Sequence, residues 1–234
     1  MSIAQNVAEV QERIATAARR AGRDPKEIIL MAVSKTFAPD SIREAYQSGL
    51  RVLGENRLQE FAGKAGALAD LKDVEWHMIG HLQTNKASKT AELFDAVDSV
   101  DSLRLAEKLN SSAAQFQKKL AVLIEINVGG EAAKSGLSTE SHELEELLRA
   151  APGLENLEFR GLMTIPPFFE DSQLARPYFR KLRGLRDQIS ARGLQRVGMD
   201  VISMGMSHDF EVAIEEGSTC VRVGTAIFGE RDKF

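Results

Sequence analysis

The sequence predicts an α/β protein, a single (β/α)8 barrel with an extra helix ahead of the first strand. Three observations lead there: short runs rich in Val and Ile alternate with amphipathic segments, these runs number eight, and no G-x-G-x-x-G fingerprint follows the first. Strands that read as continuous apolar runs are buried on both faces, and parallel strands need crossovers of the kind the amphipathic segments supply. Eight such units close a barrel, whereas the competing open doubly wound sheet would carry its glycine fingerprint after the first strand. The 234 residues, 43% hydrophobic, suit one domain over 1–234, with no Pro-rich linker or composition shift to mark a boundary.

In order along the chain, Ile3, Val7, Val10 and Ile14 form one helical stripe that Gly22 and Pro25 bring to an end. "IILMAVS" then precedes "PDSIREAYQSG", "RVLGEN" precedes "RLQEFAGKAGALADL", and "EWHMIG" precedes "TNKASKTAELF". "DAVDSVD" leads into "SLRLAEKLNSSAAQF", "AVLIEINV" into "STESHELEELLRA", and "LEFRGLMTI" into "DSQLARPYFRKLRGLRDQISARG". "MDVISMG" leads into "HDFEVAIEEG", and "TCVRVGTAIFG" supplies the last strand.

Composition removes several function classes. Lys and Arg total 30 against 34 Asp and Glu, a formal charge of -4, with no basic block to neutralise a phosphate backbone, so nucleic acid is not an expected partner. The amino-terminal stretch holds Glu9, Glu12 and Glu27 and no continuous apolar core, so neither a signal peptide nor a membrane span is expected. The lone Cys220 has no partner for an intramolecular disulfide and lies in an apolar run, as a buried reduced thiol does. A cytoplasmic location is the expectation.

In a barrel, chemistry gathers at the carboxyl ends of the strands, and the unusual residues of this chain fall there. Lys35 ends the first strand and Asn56 the second, His81 follows the third, and Asn127 ends the fifth. Met163 and Thr164 end the sixth, Met204 and Ser207 follow the seventh, and Gly224 and Thr225 close the eighth. A strand-end lysine is ordinarily a solvated charge whose stem covers apolar surface. At a barrel mouth, partial desolvation favours the neutral amine, which can capture an aldehyde.

In "SMGMSHDF", Ser207 stands where a helix begins, either as its N-cap or beside free N–H groups that suit a phosphate. "VGTAIFG" puts Gly224 and Thr225 in the next loop, and the loops after strands 7 and 8 are the habitual phosphate seat of this architecture. Arg222 shares a strand face with Cys220, Gly224 and Ala226, so its guanidinium is expected inside the barrel. An ion pair with Glu125 and a contact with a ring nitrogen of a bound cofactor are both open to it, given five donors. His77 and His81 lie on strand-like sequence with Gly80 between them, not on the helical face that a zinc pair at this spacing requires. No metal is expected. His142 sits in an acidic helix, His208 at the corner after Ser207, and Lys134 in a loop beyond the fifth strand.

The strings "AVSKT", "GENRLQE", "WHMIGHLQTNK", "KSGL", "RGLMTI", "SMGMSHDFEVAI" and "GSTCVRVGTAIFG", in order and spanning nearly the whole chain, resemble the signatures of the pyridoxal phosphate homeostasis (YggS/PROSC-like) family. The resemblance implies a fold-type III pyridoxal phosphate (PLP) barrel, similar to the amino-terminal domain of alanine racemase. By it, Lys35 would hold PLP as a Schiff base, and Ser207, Gly224 and Thr225 would bind its phosphate. Arg222 would face the pyridine nitrogen, Asn56 would lie beside the ring, Met204 would help line the pocket, and Lys134 would be a secondary or transfer point. The implied role is that of a carrier, which stores PLP, influences amino-acid and keto-acid balance and serves PLP-dependent apo-enzymes.

A PLP racemase needs a proton donor on each face of the substrate carbon. In alanine racemase the second is a tyrosine from another domain of the partner subunit. Here the chain ends at "GERDKF", six residues past the last strand motif, and Tyr46 and Tyr178 both fall in expected outer helices. The expectation is therefore a monomeric, non-catalytic carrier. A slow racemase-like enzyme using His81 or water is the alternative, and an aldolase is a third class, for which Lys35 lacks an acid pair.

Overall fold

A computed structural model describes residues 2–131 and 134–230; the carboxy-terminal "RDKF" lies outside the described residues. Ser2 opens α1 (Ile3–Arg20) with a capping box, its hydroxyl accepting from Gln5 N at 3.3 Å while Ser2 N donates to Gln5 Oε1 at 3.0 Å. Of the expected stripe, Val7, Val10 and Ile14 are buried and Ile3 partly so, on a helix that packs against α8 (Phe210–Glu215) and α9 (Thr225–Phe228). Asn6 Nδ2 fastens α1 to the end of the chain by donating to Ile227 O at 2.8 Å.

The eight strands are β1 (Ile29–Val33), β2 (Val52–Glu55), β3 (Glu75–Met78), β4 (Ala96–Val100), β5 (Leu120–Glu125), β6 (Leu157–Met163), β7 (Val197–Met206) and β8 (Cys220–Val223). Each pairs in parallel with the next in chain order, and β8 returns to β1, so the barrel is closed as the alternation predicts. Between them run α2 (Pro39–Gln47), α3 (Leu58–Lys64), α4 (Ala87–Leu93), α5 (Leu103–Gln115), α6 (His142–Ala150) and α7 (Arg176–Ala191). Ser102 caps α5 and Ser141 caps α6, each accepting from a backbone N–H three residues on.

The apolar core divides in two. A small cluster of Met31, Val33, Ile79 and Cys220 joins Val52 and Val201, while a much larger cluster packs strands against helices. Part of the larger cluster is aromatic: the Phe61 ring lies 4.6 Å from Trp76 and 4.7 Å from Phe94, tilted against both. No helix among the described residues is long and apolar enough to cross a membrane.

Phe61 is 2% exposed and joins α3 to β3 and to the residue after α4. Phe61→Ala should cost about 3–5 kcal/mol, read as a lower urea midpoint with the unfolding slope unchanged; a midpoint within error of wild type would contradict the packing described.

Candidate functional site

At the carboxyl end of β1 the chain turns through Ser34, Lys35 and Thr36. Ser34 N extends the sheet by donating to Gly54 O at 3.0 Å, and Phe37 N closes the turn on Ser34 O at 3.2 Å. Thr36 adopts a φ of +69°, a left-handed conformation that a β-branched residue rarely takes. Lys35 is half-buried in this turn. The strand itself stops at Val33, two residues before the lysine.

The phosphate-type cup lies across the β1–β8 seam. Ser207 Oγ accepts from Gly224 N at 3.2 Å and Ala226 N at 3.4 Å, with Thr225 Oγ1 at 3.3 Å. The expectation that Ser207 starts the helix after β7 is corrected here: α8 begins at Phe210 behind Asp209, and Ser207 instead faces the first turn of α9, after β8. Two features of the loop send it there. Asp209 Oδ1 accepts from Met206 N at 2.6 Å, and Gly205, at φ +93°, lies so close to α8 that a Cβ would stand 2.9 Å from Phe210 Cα. The register of β1 and β8 brings Gly224 beside Val33, and the Phe37 ring stacks on Phe228 at 4.7 Å, so the lysine turn and the cup share one corner.

Arg222 is inside, 3% exposed, as strand alternation requires. The ion pair with Glu125, one of the two options open to it, is absent among the described residues; Arg222 donates to Ser203 Oγ and to Thr164 O, both at 2.7 Å. Burial lowers its pKa from the ordinary value while Cys220 and nearby acids act the other way. Neutral acceptors on β7 and just beyond β6 take two of its five donors, with no bonded carboxylate.

A cavity of about 290 Å³ at the carboxyl ends of the strands is lined by Asn56, Gly80, His81, Glu125, Asn127 and Lys134, among others, and not by Lys35, Ser207, Arg222, Gly224 or Thr225. Gly80 is required there, because a Cβ would lie 2.2 Å from Asn56 O and 2.6 Å from Asn56 Oδ1. Burial, followed by the charge of Asp101, pushes the Glu125 carboxyl up to about 7, with Arg222 and His81 acting in the opposite direction. Its Oε2 is buried with no hydrogen-bond partner. His81 Nδ1 stands 3.2 Å from Asp101 Oδ2, and Lys134 Nζ pairs with Glu131 Oε1 at 2.6 Å. Asn127 Nδ2 bonds Glu131 O at 2.9 Å and Lys134 O at 3.4 Å, tying the loop's two sides together.

Met204 does not join these residues: its side chain is fully buried in the core between strands and helices. His142 is exposed beside Glu146, as expected, and the His208 ring lies tilted against Phe168 while bonding Glu170 O. A larger cavity, about 520 Å³, opens at the amino-terminal ends of the strands and is lined by residues such as Val52, His77, Ala96 and Ala121. Burial opposes protonation of His77, yet Asp98, at 2.9 Å, and Glu75 push it up to about 10. Barrel chemistry belongs to the other end, so this cavity is not the candidate site despite its size. No group of His, Cys, Asp and Glu among the described residues could hold a metal ion.

Glu55 and Lys64 escaped the sequence reading. Both are buried beneath the Lys35 turn, with Lys64 Nζ 2.8 Å from Glu55 Oε1. The available signal was a glutamate inside the apolar run "RVLGEN", followed by Glu60 and Lys64 at helical spacing.

A closed parallel barrel with a lysine turn against a two-loop N–H cup defines a class, and comparison with known proteins agrees. Residues 5–232 match the family model for the alanine racemase N-terminal domain. The chain is 48% identical over 231 residues to the pyridoxal phosphate homeostasis protein of Aquifex aeolicus, covering 99% of each. PipY of Synechococcus elongatus, solved with PLP bound, superposes with a TM-score of 0.84 at 33% identity, covering 97% of this chain and 100% of that one. Alanine racemase from Corynebacterium glutamicum shares the fold at 20% identity and TM-score 0.70, the match covering 98% of this chain and 61% of the racemase. The chain belongs to the pyridoxal phosphate homeostasis protein family, within the alanine racemase N-terminal domain class.

Because Glu125 ionises near 7 when folded, against an ordinary 4.5, the folded chain holds a proton that the unfolded chain has released across that window. Its contribution is full below about pH 4.5 and is lost as pH rises through about 7. The stability of wild type should therefore fall by about 1–3 kcal/mol relative to Glu125→Gln between those values, followed by urea unfolding; parallel pH profiles for the two proteins would rule out Glu125 as the titrating group.

Proposed function

We propose that this protein binds pyridoxal 5'-phosphate and acts in intracellular PLP homeostasis as a storage and carrier protein, with Lys35 as its covalent attachment point. The supporting observation is the shared corner of the Lys35 turn and the Ser207, Gly224 and Ala226 cup, held together by the stacking of Phe37 on Phe228. Bound PLP would supply an aldehyde for a lysine amine and a dianionic phosphate for backbone N–H groups.

The residues present fit that group. Short-range N–H donors and the Thr225 hydroxyl surround Ser207 and suit a phosphate. Arg222 is fixed by two neutral acceptors and keeps further donors for a ring nitrogen. Asn56, kept close by Gly80, would border the ring. Lys134 would act as the transfer point, and to do so must part from Glu131. Met204 would support the pocket only from behind, through its place in the strand. The name of the Aquifex relative and the PLP bound to PipY support the same reading.

The carrier role is favoured over catalysis by where the tyrosines lie. Tyr46 OH donates to Asp73 at 2.6 Å, and Tyr178 stacks on Phe169, so both are engaged in the helical layer. The protein would then work as a single-domain monomer in the cytoplasm, delivering cofactor to PLP-dependent apo-enzymes; a reducing compartment suits the buried Cys220 thiol. One observation favours a second reading, a slow racemase-like enzyme: His81, paired with Asp101, lines the same cavity as Glu125, where it could move a proton.

Borohydride reduction of the PLP-loaded protein followed by peptide mapping should place a phosphopyridoxyl mark on the Lys35 peptide, with a minor share on Lys134. Lys35→Ala should lose the main mark and the yellow colour while unfolding at the urea concentration of wild type; a mark confined to other peptides refutes the proposal. For the second reading, the α-hydrogen of amino acids should not exchange with deuterium in excess of the rate given by free PLP. Sustained, enantiomer-selective exchange would identify an enzyme.

A further inference from the structure

We propose that Lys64 and Glu60 are positioning residues for Lys35, clamping the turn that carries it so that it is presented ready for capture of an aldehyde; this rests on the reading of Lys35 given above. Lys64 ends α3 with its side chain only 9% exposed, and a buried ammonium requires partners. Those it has converge on one turn. Nζ donates to Ser34 O at 3.0 Å and Phe37 O at 3.4 Å, and pairs with Glu55 Oε1 at 2.8 Å and Glu60 Oε1 at 3.3 Å. Glu55 accepts in turn from Ser34 Oγ, and Glu60 accepts from Thr36 N.

Residues 34, 36 and 37 are thus each bonded to this cluster, on both sides of Lys35. The strain at Thr36 gives the arrangement its meaning. A threonine at φ +69° holds an unfavourable backbone conformation only where its surroundings over-determine it, and the bond from Thr36 N to Glu60 is part of that determination. An ion pair serving stability alone could join α3 to any part of the barrel. This one spends its acceptors on the lysine turn.

In the capture step the lysine nitrogen bonds to the aldehyde carbon, the carbon–oxygen bond breaks, and the oxygen leaves as water with the two amine hydrogens; no oxidant or reductant takes part. Such steps depend steeply on placement, a misplacement of about 1 Å costing roughly a hundredfold in rate.

The test uses the full-length protein as wild type, Lys64→Met, Lys64→Arg and Glu60→Ala. Two quantities are measured: the rate of PLP capture on Lys35, by borohydride trapping at timed intervals, and the affinity for pyridoxine 5'-phosphate, which has the ring and phosphate but no aldehyde. Capture should slow by about tenfold or more in Lys64→Met and Glu60→Ala, while analogue affinity stays within about twofold. Lys64→Arg, which keeps the charge and donors, should recover most of the rate. Glu60 is 28% exposed and lies outside the buried Lys64–Glu55 pair, so Glu60→Ala decides the matter if Lys64→Met does not fold. Capture at wild-type speed in Glu60→Ala, or an analogue affinity that falls in step with capture, overturns the inference. Wild-type protein that acquires no mark on Lys35 overturns the reading of the site and this inference together, a result distinct from equal marking of wild type and variants.

Discussion

Closing the sheet pairs β1 with β8, setting Ile29 opposite Cys220 and Met31 opposite Arg222, and this seam joins the two ends of the chain. The lysine turn leaves one side of the seam and the N–H cup the other. Were the sheet left open, these segments would stand on opposite edges and no common site would form. The contacts that flank the seam repeat the same joining: Phe37 on Phe228, and Asn6 of α1 on Ile227. Helix α1 thus braces the start of the chain against the elements that build the cup.

Within the closed barrel, charge is arranged so that few groups are left costly. Arg222 is bonded by a hydroxyl and a carbonyl, His77 by Asp98, and Lys64 by Glu55 and Glu60. The carboxyl groups that retain a buried orphan oxygen are Glu55, Asp98 and Glu125. Burial raises the pKa of Glu55 while its bonds to Lys64 and Ser34 act the other way, and it pushes Glu125 up to about 7, where a neutral carboxyl avoids a stranded charge. The mouth therefore offers a buried arginine and a carboxyl that is easily neutralised, along with an N–H cup. Such a set suits an anionic group.

The same economy explains why the site is built from turns and yet is well fixed. Loops at a barrel mouth are ordinarily its most mobile parts. Here the Lys35 turn is held by α3, and the Ser207 loop is held by Asp209 and by the close approach of Gly205 to α8. Rigid helices behind each loop take over the ordering that the loops would otherwise lack, which is the usual requirement for a preorganised binding site.

The sequence by itself determined the architecture and pointed to many residues of the candidate site. The alternation of apolar runs and amphipathic segments forces parallel strands with helical crossovers, and the period of two in "TCVRVG" sends Arg222 inward whatever its neighbours. Lys35, Asn56, Ser207 and Gly224 were legible because each follows a strand, where a barrel keeps its variable chemistry. The tertiary structure alone decided their partners. That Arg222 bonds Ser203 and Thr164 instead of Glu125, that Ser207 faces α9 instead of starting α8, and that Met204 points into the helical core depend on strand register and on irregular pairing between Ser203 and Met206. The Lys64 cluster was hidden for the same reason: its members lie in the turn after β1, on β2 and on α3, and contact distances between separate elements are fixed by packing, to which local periodicity is blind.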